Sequence, residues 1–425
     1  MGMRRKIVAV IVALVLLATS VTVSANSNDV VELGRISVSM PEITVELKGT
    51  GYSEVDVSAK LGTEALRLES VAPYDSAKDT TRVYILVDLS TSMRGSFDLV
   101  KKNIVTFIEA MDSKSQLILI TFGKETVNTV LTGNEDKAEA IAVVQALQCN
   151  ESGTLFYEAL SRAYQMSSAS TECYDREYVL AFSDGIDYQK GSITFAEVLD
   201  QYDSRILPLY AACSSNTSQA GADQFGQIAR TSGGGISIIK SEEDFSSFVS
   251  QINDITLLRF RAGSNHADGK EKQLTMKIGQ LQIEHNVPIL RSQPDEQAPT
   301  VEKMEYDPEK AAITIAFSEK VLGASDTKAY KVVGPDGVTM QVSGVYYAES
   351  EDVYELRFEN TVYNGSYTIS FSGITDASQE GNPLVGEQKI LIENGTEPSV
   401  QEEITVDTDA QEDEFQVLVG VSWQA

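Results

Sequence analysis

The sequence has few of the residues on which most catalytic and soft-metal chemistry depends. Its 425 residues include two histidines, three cysteines and one tryptophan. Three cysteines are too few for a disulfide scaffold, and the odd number leaves at least one thiol without an intrachain partner. A bridge from Cys149 to Cys213 is conceivable, but no pattern supports it, and Cys173 has no evident role. With only His266 and His285 available, a thiolate–imidazole pair is not indicated.

Basic residues are also scarce. The chain has 34 lysines and arginines against 62 aspartates and glutamates, a formal charge of −28. Such a balance repels polyphosphates and anionic membrane surfaces, so nucleic acid is excluded as a partner. It is usual for solvated exported proteins and for proteins that meet divalent cations. Solubility alone accounts for most of these charges.

Long apolar runs are confined to the N-terminus. Arg4, Arg5 and Lys6 precede an apolar stretch over 7–18, and small residues end at Ala25. This three-part plan predicts a secretory signal over residues 1–25 and a secreted or cell-surface protein. The alternative is an uncleaved membrane anchor, which would require residues 19–25 to stay in the bilayer. We expect no other membrane contact.

The remaining chain exceeds one ordinary hydrophobic core, so several domains are expected. Residues 30–80 and 258–291 alternate apolar and polar residues as strands do. Between them, residues 81–257 alternate strands with helices, the last helix over 242–257, which predicts a mostly parallel sheet with helical crossovers. We therefore predict an α/β doubly wound domain inserted in a small β-sandwich built from the two flanks.

The C-terminal part has a different pattern. Residues 298–392 contain short alternating strands separated by glycine-rich turns, which predicts an all-β sandwich. Residues 393–425 carry nine acidic residues and no basic one. This composition predicts disorder to about residue 414. The apolar stretch 415–423 could serve as a short docking segment.

One turn carries the chemistry. Asp88, Ser90 and Ser92 follow the continuous apolar run 83–87, which is typical of a strand buried on both faces. Ligands of open parallel sheets bind beyond the carboxyl ends of the strands. Alternate residues of the turn can direct one carboxylate and two hydroxyls at one point. These hard oxygens suit Mg²⁺, or Mn²⁺ or Ca²⁺, and do not suit Zn²⁺ or Cu²⁺.

The turn resembles the metal-ion-dependent adhesion site of the von Willebrand factor A (vWA) family, whose first motif is D-x-S-x-S. The family also places a threonine in a loop before a helix, here Thr154, and an aspartate after a later buried strand, here Asp184. The resemblance covers about 82–257 and implies a Rossmann-like vWA domain. One departure is Thr91, where many members carry glycine; it affects affinity rather than the ligand set. We interpret Asp187 as a helix cap.

The resemblance implies a binding function. In the family the protein supplies an incomplete oxygen shell around Mg²⁺, and an aspartate or glutamate of a protein partner takes the open position. Residues 149–152 and 213–221 are the candidate recognition loops, and partner binding is expected to move the helix over 242–257. The simpler alternative for the turn is a capped loop without metal.

The C-terminal sandwich resembles the Ig-like domains of bacterial surface-layer and cell-wall proteins. The resemblance rests on residues 295–301, 313–321 and 373–384 and covers about 298–391. It implies a spacer or adhesion module outside a bacterial cell.

The enzymatic alternatives lack the catalytic or phosphate-binding residues that they require. A haloacid-dehalogenase-like phosphotransferase needs a second aspartate where this chain has Ser90. Residues 263–270 have the wrong glycine spacing for a phosphate-binding loop. A Ser-His-Asp hydrolase would need His266 or His285, both in the strand-rich segment 258–291. We therefore predict no catalytic residues, and leave open a structural envelope protein in which the metal only stiffens the loops.

Overall fold

The computed structural model describes residues 23–25, 29–52, 57–124, 126–185, 193–348 and 352–396. Most of the predicted signal, the predicted tail beyond 396 and the predicted cap Asp187 lie outside these residues. No helix in the described ranges is long and apolar enough to cross a membrane.

The first described elements are strands. A short antiparallel pair is followed by the four strands of the N-terminal flank; the bounds are β1 (Val23–Ala25), β2 (Asp29–Val31), β3 (Leu33–Met40), β4 (Glu42–Lys48), β5 (Val57–Leu61) and β6 (Glu64–Pro73).

The central region is a three-layer α/β unit. Its strands are β7 (Thr81–Asp88), β8 (Ser115–Phe122), β9 (Val127–Leu131), β10 (Arg176–Ser183), β11 (Leu209–Ser214) and β12 (Gly235–Ile239). Its helices are α1 (Phe97–Ala110), α2 (Lys137–Ala146), α3 (Phe156–Ser168), α4 (Phe195–Asp203), α5 (Gln219–Ser232) and α6 (Glu242–Asn253). The sheet order is β12-β11-β10-β7-β8-β9, in which only β9, a strand that the sequence did not predict, is antiparallel.

Strand β7 lies at the centre of this sheet, and all eight of its residues are buried. Its side chains alternate between two cores. Val83, Ile85 and Val87 pack with residues of α1, α2 and α6, whereas Tyr84 and Leu86 pack with residues of α3, α4 and α5. Helices therefore cover both faces, which is why the strand is a continuous apolar run.

The predicted C-terminal end of the last helix in this unit is wrong. Helix α6 stops at Asn253, and a strand, β13 (Ile255–Arg261), begins two residues later. The β-branched residues Ile255 and Thr256 favour a strand. All of the first four residues of β13 are buried, because it lies between β4 and β6. The predicted boundary at 257–258 thus falls inside a strand.

Both flanks contribute to one eight-stranded sheet. The return strands are β13, β14 (Glu271–Ile278), β15 (Leu281–Pro288) and β16 (Arg291–Ser292), and the order is β15-β14-β5-β6-β13-β4-β3-β16. The long strand β6 pairs with β5 at its start and with β13 along the rest, so it continues the sheet across both halves. Side chains from both ends, such as Ile36 and Val287, share one core. The flanks therefore form a single sheet folded around its core rather than two separate sheets.

A buried ion cluster joins this sheet to the α/β unit. Glu177 of β10 is fully buried and contacts Arg35 of β3 at 2.5 Å, Arg82 of β7 at 2.6 Å and Arg291 of β16 at 3.3 Å. Arg176 next to it donates to Asn253 at the end of α6. Charged side chains from four segments therefore meet at the junction.

The C-terminal region is an all-β sandwich. Sheets of order β17-β18-β23-β22 and β21-β20-β24-β26 enclose a common core, beside the short pair β19 and β25. The bounds are β17 (Val301–Asp307), β18 (Ala312–Phe317), β19 (Val321–Leu322), β20 (Tyr330–Val333), β21 (Thr339–Met340), β22 (Val342–Tyr347), β23 (Val353–Phe358), β24 (Gly365–Phe371), β25 (Thr375–Asp376) and β26 (Glu387–Ile392).

Candidate functional site

The turn after β7 lies at the carboxyl edge of the central sheet. Asp88 ends the strand and is fully buried. Its Oδ1 accepts a hydrogen bond from the backbone N–H of Ser90 at 2.8 Å, and its Oδ2 accepts one from the hydroxyl of Ser183 at 2.7 Å. Because Ser183 ends the neighbouring strand β10, the ends of two adjacent strands fix the orientation of this carboxylate.

A chain of hydrogen-bonded oxygens leads from the turn to the end of β10. The hydroxyl oxygens of Ser90 and Ser92 lie 2.9 Å apart, and Ser92 donates to Asp184 Oδ1 at 3.1 Å. Ser92 is exposed, since it lies in a short 3₁₀ helix (Thr91–Gly95) before α1. The structure thus brings four of the five predicted ligand residues together and leaves the group open to solvent at Ser92.

The fifth residue, Thr154, lies in the loop before α3 and is buried. Backbone hydrogen bonds tie this loop to the turn: Thr91 donates to Glu151 O at 2.8 Å, and Glu151 donates to Leu89 O at 2.9 Å. A third bond runs from the Leu155 N–H to Gly123 O at 2.9 Å. The loop that carries Thr154 is therefore held at the same edge of the sheet.

Gly123 is a residue of the site that sequence reasoning missed. It follows β8, and a Cβ added there would lie 2.4 Å from Cγ and 2.6 Å from Cβ of Glu151. The lack of a side chain is what lets the Thr154 loop lie against β8. The only signal in the sequence was a glycine directly after a buried strand.

Both predicted recognition loops flank the turn. The thiol of Cys149 donates to Ser90 O at 2.6 Å, and Arg94 Nε donates to Cys149 O at 3.3 Å. In the other loop, Asn216 Nδ2 is 3.8 Å from the position a Cβ would take at Gly95. Burial raises the pKa of the Cys149 thiol. All three cysteines are free, so Cys149 and Cys213 form no bridge.

The pKa values of both carboxylates are raised. Burial raises the pKa of Asp88 to about 6, and the neighbouring Asp184 adds to the rise against the lowering by hydrogen bonds from Ser90 and Ser183. Burial likewise raises the pKa of Asp184, against the hydrogen bond from Ser92. Across the part of the chain that the structure describes, no salt bridge reaches either carboxylate. A bound cation would lower the cost of keeping both charged.

The donor set fits a hard cation. Two carboxylates and up to three hydroxyls are the oxygen ligands that Mg²⁺, Mn²⁺ and Ca²⁺ prefer. His266 and His285 make their hydrogen bonds with Gln379 and with Asp203 O, outside this group.

Comparison with solved structures finds proteins of low sequence identity that match part of this chain. An aerotolerance-related membrane protein from Bacteroides fragilis is 16% identical over 41% of this chain and 98% of its own, with a TM-score of 0.34. The SpRpn10 VWA domain is 13% identical over 40% of this chain and 95% of its own, with a TM-score of 0.33.

Proximal thread matrix protein 1 from the mussel byssus is 15% identical over 44% of this chain, with a TM-score of 0.35, and the match spans 48% of the mussel chain. No curated protein matches the sequence. A family model matches part of the chain: residues 83–186 match the von Willebrand factor type A domain. This segment contains Asp88, Ser90, Ser92, Thr154 and Asp184.

Proposed function

We propose that this protein is an exported vWA-domain protein that binds a protein partner through Mg²⁺ held by Asp88, Ser90, Ser92, Thr154 and Asp184. The observation that carries the proposal is the hydrogen-bonded row of hard oxygens at the carboxyl ends of β7 and β10. Mn²⁺ and Ca²⁺ are the alternative ions. The protein acts by binding, not by catalysis.

Each residue has a separate task. Asp88 and Asp184 supply the charge that attracts the cation, while Ser90, Ser92 and Thr154 supply neutral oxygens. The bound Mg²⁺ would offer a position for an aspartate or glutamate of the partner, which the acidic surface of this chain would otherwise repel. The loops at 149–152 and 213–221 would select the partner, since they border the turn.

The location follows from the N-terminal sequence. We place the protein on the outside of a bacterial cell, secreted or at the surface, with residues 1–25 as its signal or anchor. The C-terminal sandwich, as an Ig-like domain, would hold the binding unit away from the cell. The rival role is a structural envelope protein whose metal only stiffens the loops.

Metal binding can be measured directly. The chain without its predicted signal, cleared of metal with EDTA, is titrated with Mg²⁺ by calorimetry. Asp88→Asn removes one charge and should weaken binding at least about tenfold, which corresponds to about 1.4 kcal/mol. Asp98→Asn is the matched control, because Asp98 is fully exposed on α1, and should bind as the wild type does. Equal Mg²⁺ affinity in Asp88→Asn and wild type would refute the metal assignment.

Partner binding is tested next with the same proteins. Surface proteins captured by the wild type in Mg²⁺ should be lost in EDTA and with Asp88→Asn, and kept with Asp98→Asn. A captured partner should then lose binding when one of its acidic residues is changed to the amide. If the protein binds Mg²⁺ but captures its partners equally well in EDTA, the structural role would be favoured instead.

A further inference from the structure

A second group of carboxylates lies where the linker after β16 meets the C-terminal sandwich. Asp295 belongs to the linker, Glu319 follows β18, and Asp376 ends β25. One carboxylate oxygen from each residue lies within 4.8 Å of the others. Asp376 is fully buried and Asp295 is 2% exposed, so this is not an ordinary acidic surface patch.

Two of the three carboxylates are held firmly by their neighbours. Asp376 Oδ1 accepts from the hydroxyl of Ser378 at 2.7 Å and from the N–H of Asn382 at 2.9 Å, and its Oδ2 accepts from the Asn382 amide at 2.8 Å. Asp295 accepts from the guanidinium of Arg261 and from the N–H of Gln297. The group is therefore preorganised.

The third carboxylate supplies an independent observation. Glu319 is partly buried, and its Oε2 is shielded from solvent and has no hydrogen-bond partner among the described residues. An orphaned buried carboxylate oxygen is costly unless a proton or a cation meets it.

The charges around this oxygen are unequal. Three carboxylates face one buried guanidinium, that of Arg261, which is already bound to Asp295. Arg67 contributes more weakly, since it is 36% exposed and pairs with Glu69. When all three carboxylates are ionised, about two negative charges remain, which one divalent cation would balance.

The group lies at a joint between the folded sheet and the sandwich. Asn382 of the sandwich donates to Asp295 O at 2.6 Å, and Asn265 of the sheet side donates to Glu380 Oε2 at 2.7 Å. A Cβ at Gly263 would lie 2.9 Å from Lys320 Cβ, so the two parts are in close contact. A cation at this point would be bound by the linker and the sandwich together.

We propose that Asp295, Glu319 and Asp376 form a Ca²⁺ site that fixes the C-terminal sandwich against the folded sheet. Ca²⁺ suits the group because its ligands lie about 2.3–2.6 Å from the ion, so that oxygens on opposite sides are up to about 5 Å apart. It also accepts carboxylates in flexible numbers. This site is separate from the turn at Asp88 and does not depend on its function.

The test uses the chain without its predicted signal and with Asp88→Asn, which weakens the first site so that it contributes less to the measurement. Calorimetry with Ca²⁺ should detect one bound ion. Adding Glu319→Gln should weaken that binding at least about tenfold, while adding Glu309→Gln, an exposed carboxylate of the same sandwich, should leave it unchanged. Ca²⁺ should also slow proteolysis of the linker at 293–299 in every variant except Glu319→Gln.

Two results would overturn the proposal: no Ca²⁺ binding at millimolar concentration in the Asp88→Asn protein, or equal binding after Glu319→Gln. Glutamine matches glutamate in shape, and Glu319 makes no hydrogen bond through Oε2, so this variant should fold; near-ultraviolet circular dichroism checks it. If the oxygen simply carries a proton, Glu319→Gln should be as stable as the parent with and without Ca²⁺, which also contradicts the proposal.

Discussion

Replacing Glu177 with glutamine should strongly destabilise the protein. Its carboxylate is fully buried and contacts Arg35, Arg82 and Arg291, which come from the first flank, the α/β unit and the return flank. Burial alone would raise the pKa of Glu177, but the three guanidinium groups outweigh burial and hold this pKa below its ordinary value. Glu177 is therefore the counter-charge that the three buried arginines share.

The expected size of the loss follows from this arrangement. Glu177→Gln keeps the shape but leaves buried guanidinium groups without their counter-charge, and removing one partner of a buried ion pair costs about 3–5 kcal/mol. Glu172→Gln is the matched control. Glu172 also pairs with Arg82, at 3.6 Å, but its side chain is 64% exposed. An exposed pair of this kind contributes about 0–1 kcal/mol.

Equilibrium unfolding in urea, followed by far-ultraviolet circular dichroism, gives the free energy of unfolding of both variants. The midpoint of the transition that unfolds the α/β unit should fall strongly for Glu177→Gln and little for Glu172→Gln. A loss of less than about 1 kcal/mol for Glu177→Gln, or equal losses in both variants, would show that the cluster does not hold the flanks to the α/β unit.

Three further predictions concern other parts of the chain. Gly123→Ala should cost about 1–3 kcal/mol of unfolding free energy and weaken Mg²⁺ binding, because the new Cβ would overlap Glu151. Gly95→Ala, whose Cβ meets only ordinary contacts, should be neutral in both measurements, and a neutral Gly123→Ala would contradict our reading of the loop. Thiol titration of the unfolded chain without reductant should find three free thiols, whereas one thiol would reveal a disulfide. Burial, aided by Arg205, lowers the pKa of His285 from its ordinary 6.5, so the stability from its neutral ring is present above pH 6.5 and is lost as the pH falls below that value. The stability difference between wild type and His285→Gln should therefore shrink between pH 7.5 and 5.5, and a constant difference would count against this role.

The sequence predicted which side chains meet at the turn better than it predicted the ends of the elements. The continuous apolar run before Asp88 correctly indicated a buried strand, and Ser90, Ser92 and Asp184 do meet at its end. The helix predicted to residue 257 was wrong, since Asn253 ends it. An amphipathic pattern cannot separate the last turn of a helix from a following buried strand when no glycine or proline stands between them.

Other parts of the site could not be read from local pattern at all. Ser183 orients Asp88, and Gly123 admits Glu151, through contacts between elements that are distant in the chain. The acidic group of Asp295, Glu319 and Asp376 was likewise invisible, because no spacing rule joins a linker, a strand end and a short edge strand.

The sequence by itself determined which segments are strands or helices over most of the α/β unit, and where hard oxygens follow a buried strand. Both depend on the period of apolar residues and on side chains a few positions apart. Only the tertiary structure decided that β13 pairs between β4 and β6, that one carboxylate contacts three arginines, and that two acidic groups lie at separate places. Such pairings follow from burial and charge balance between segments that are far apart in the chain, which no local pattern contains.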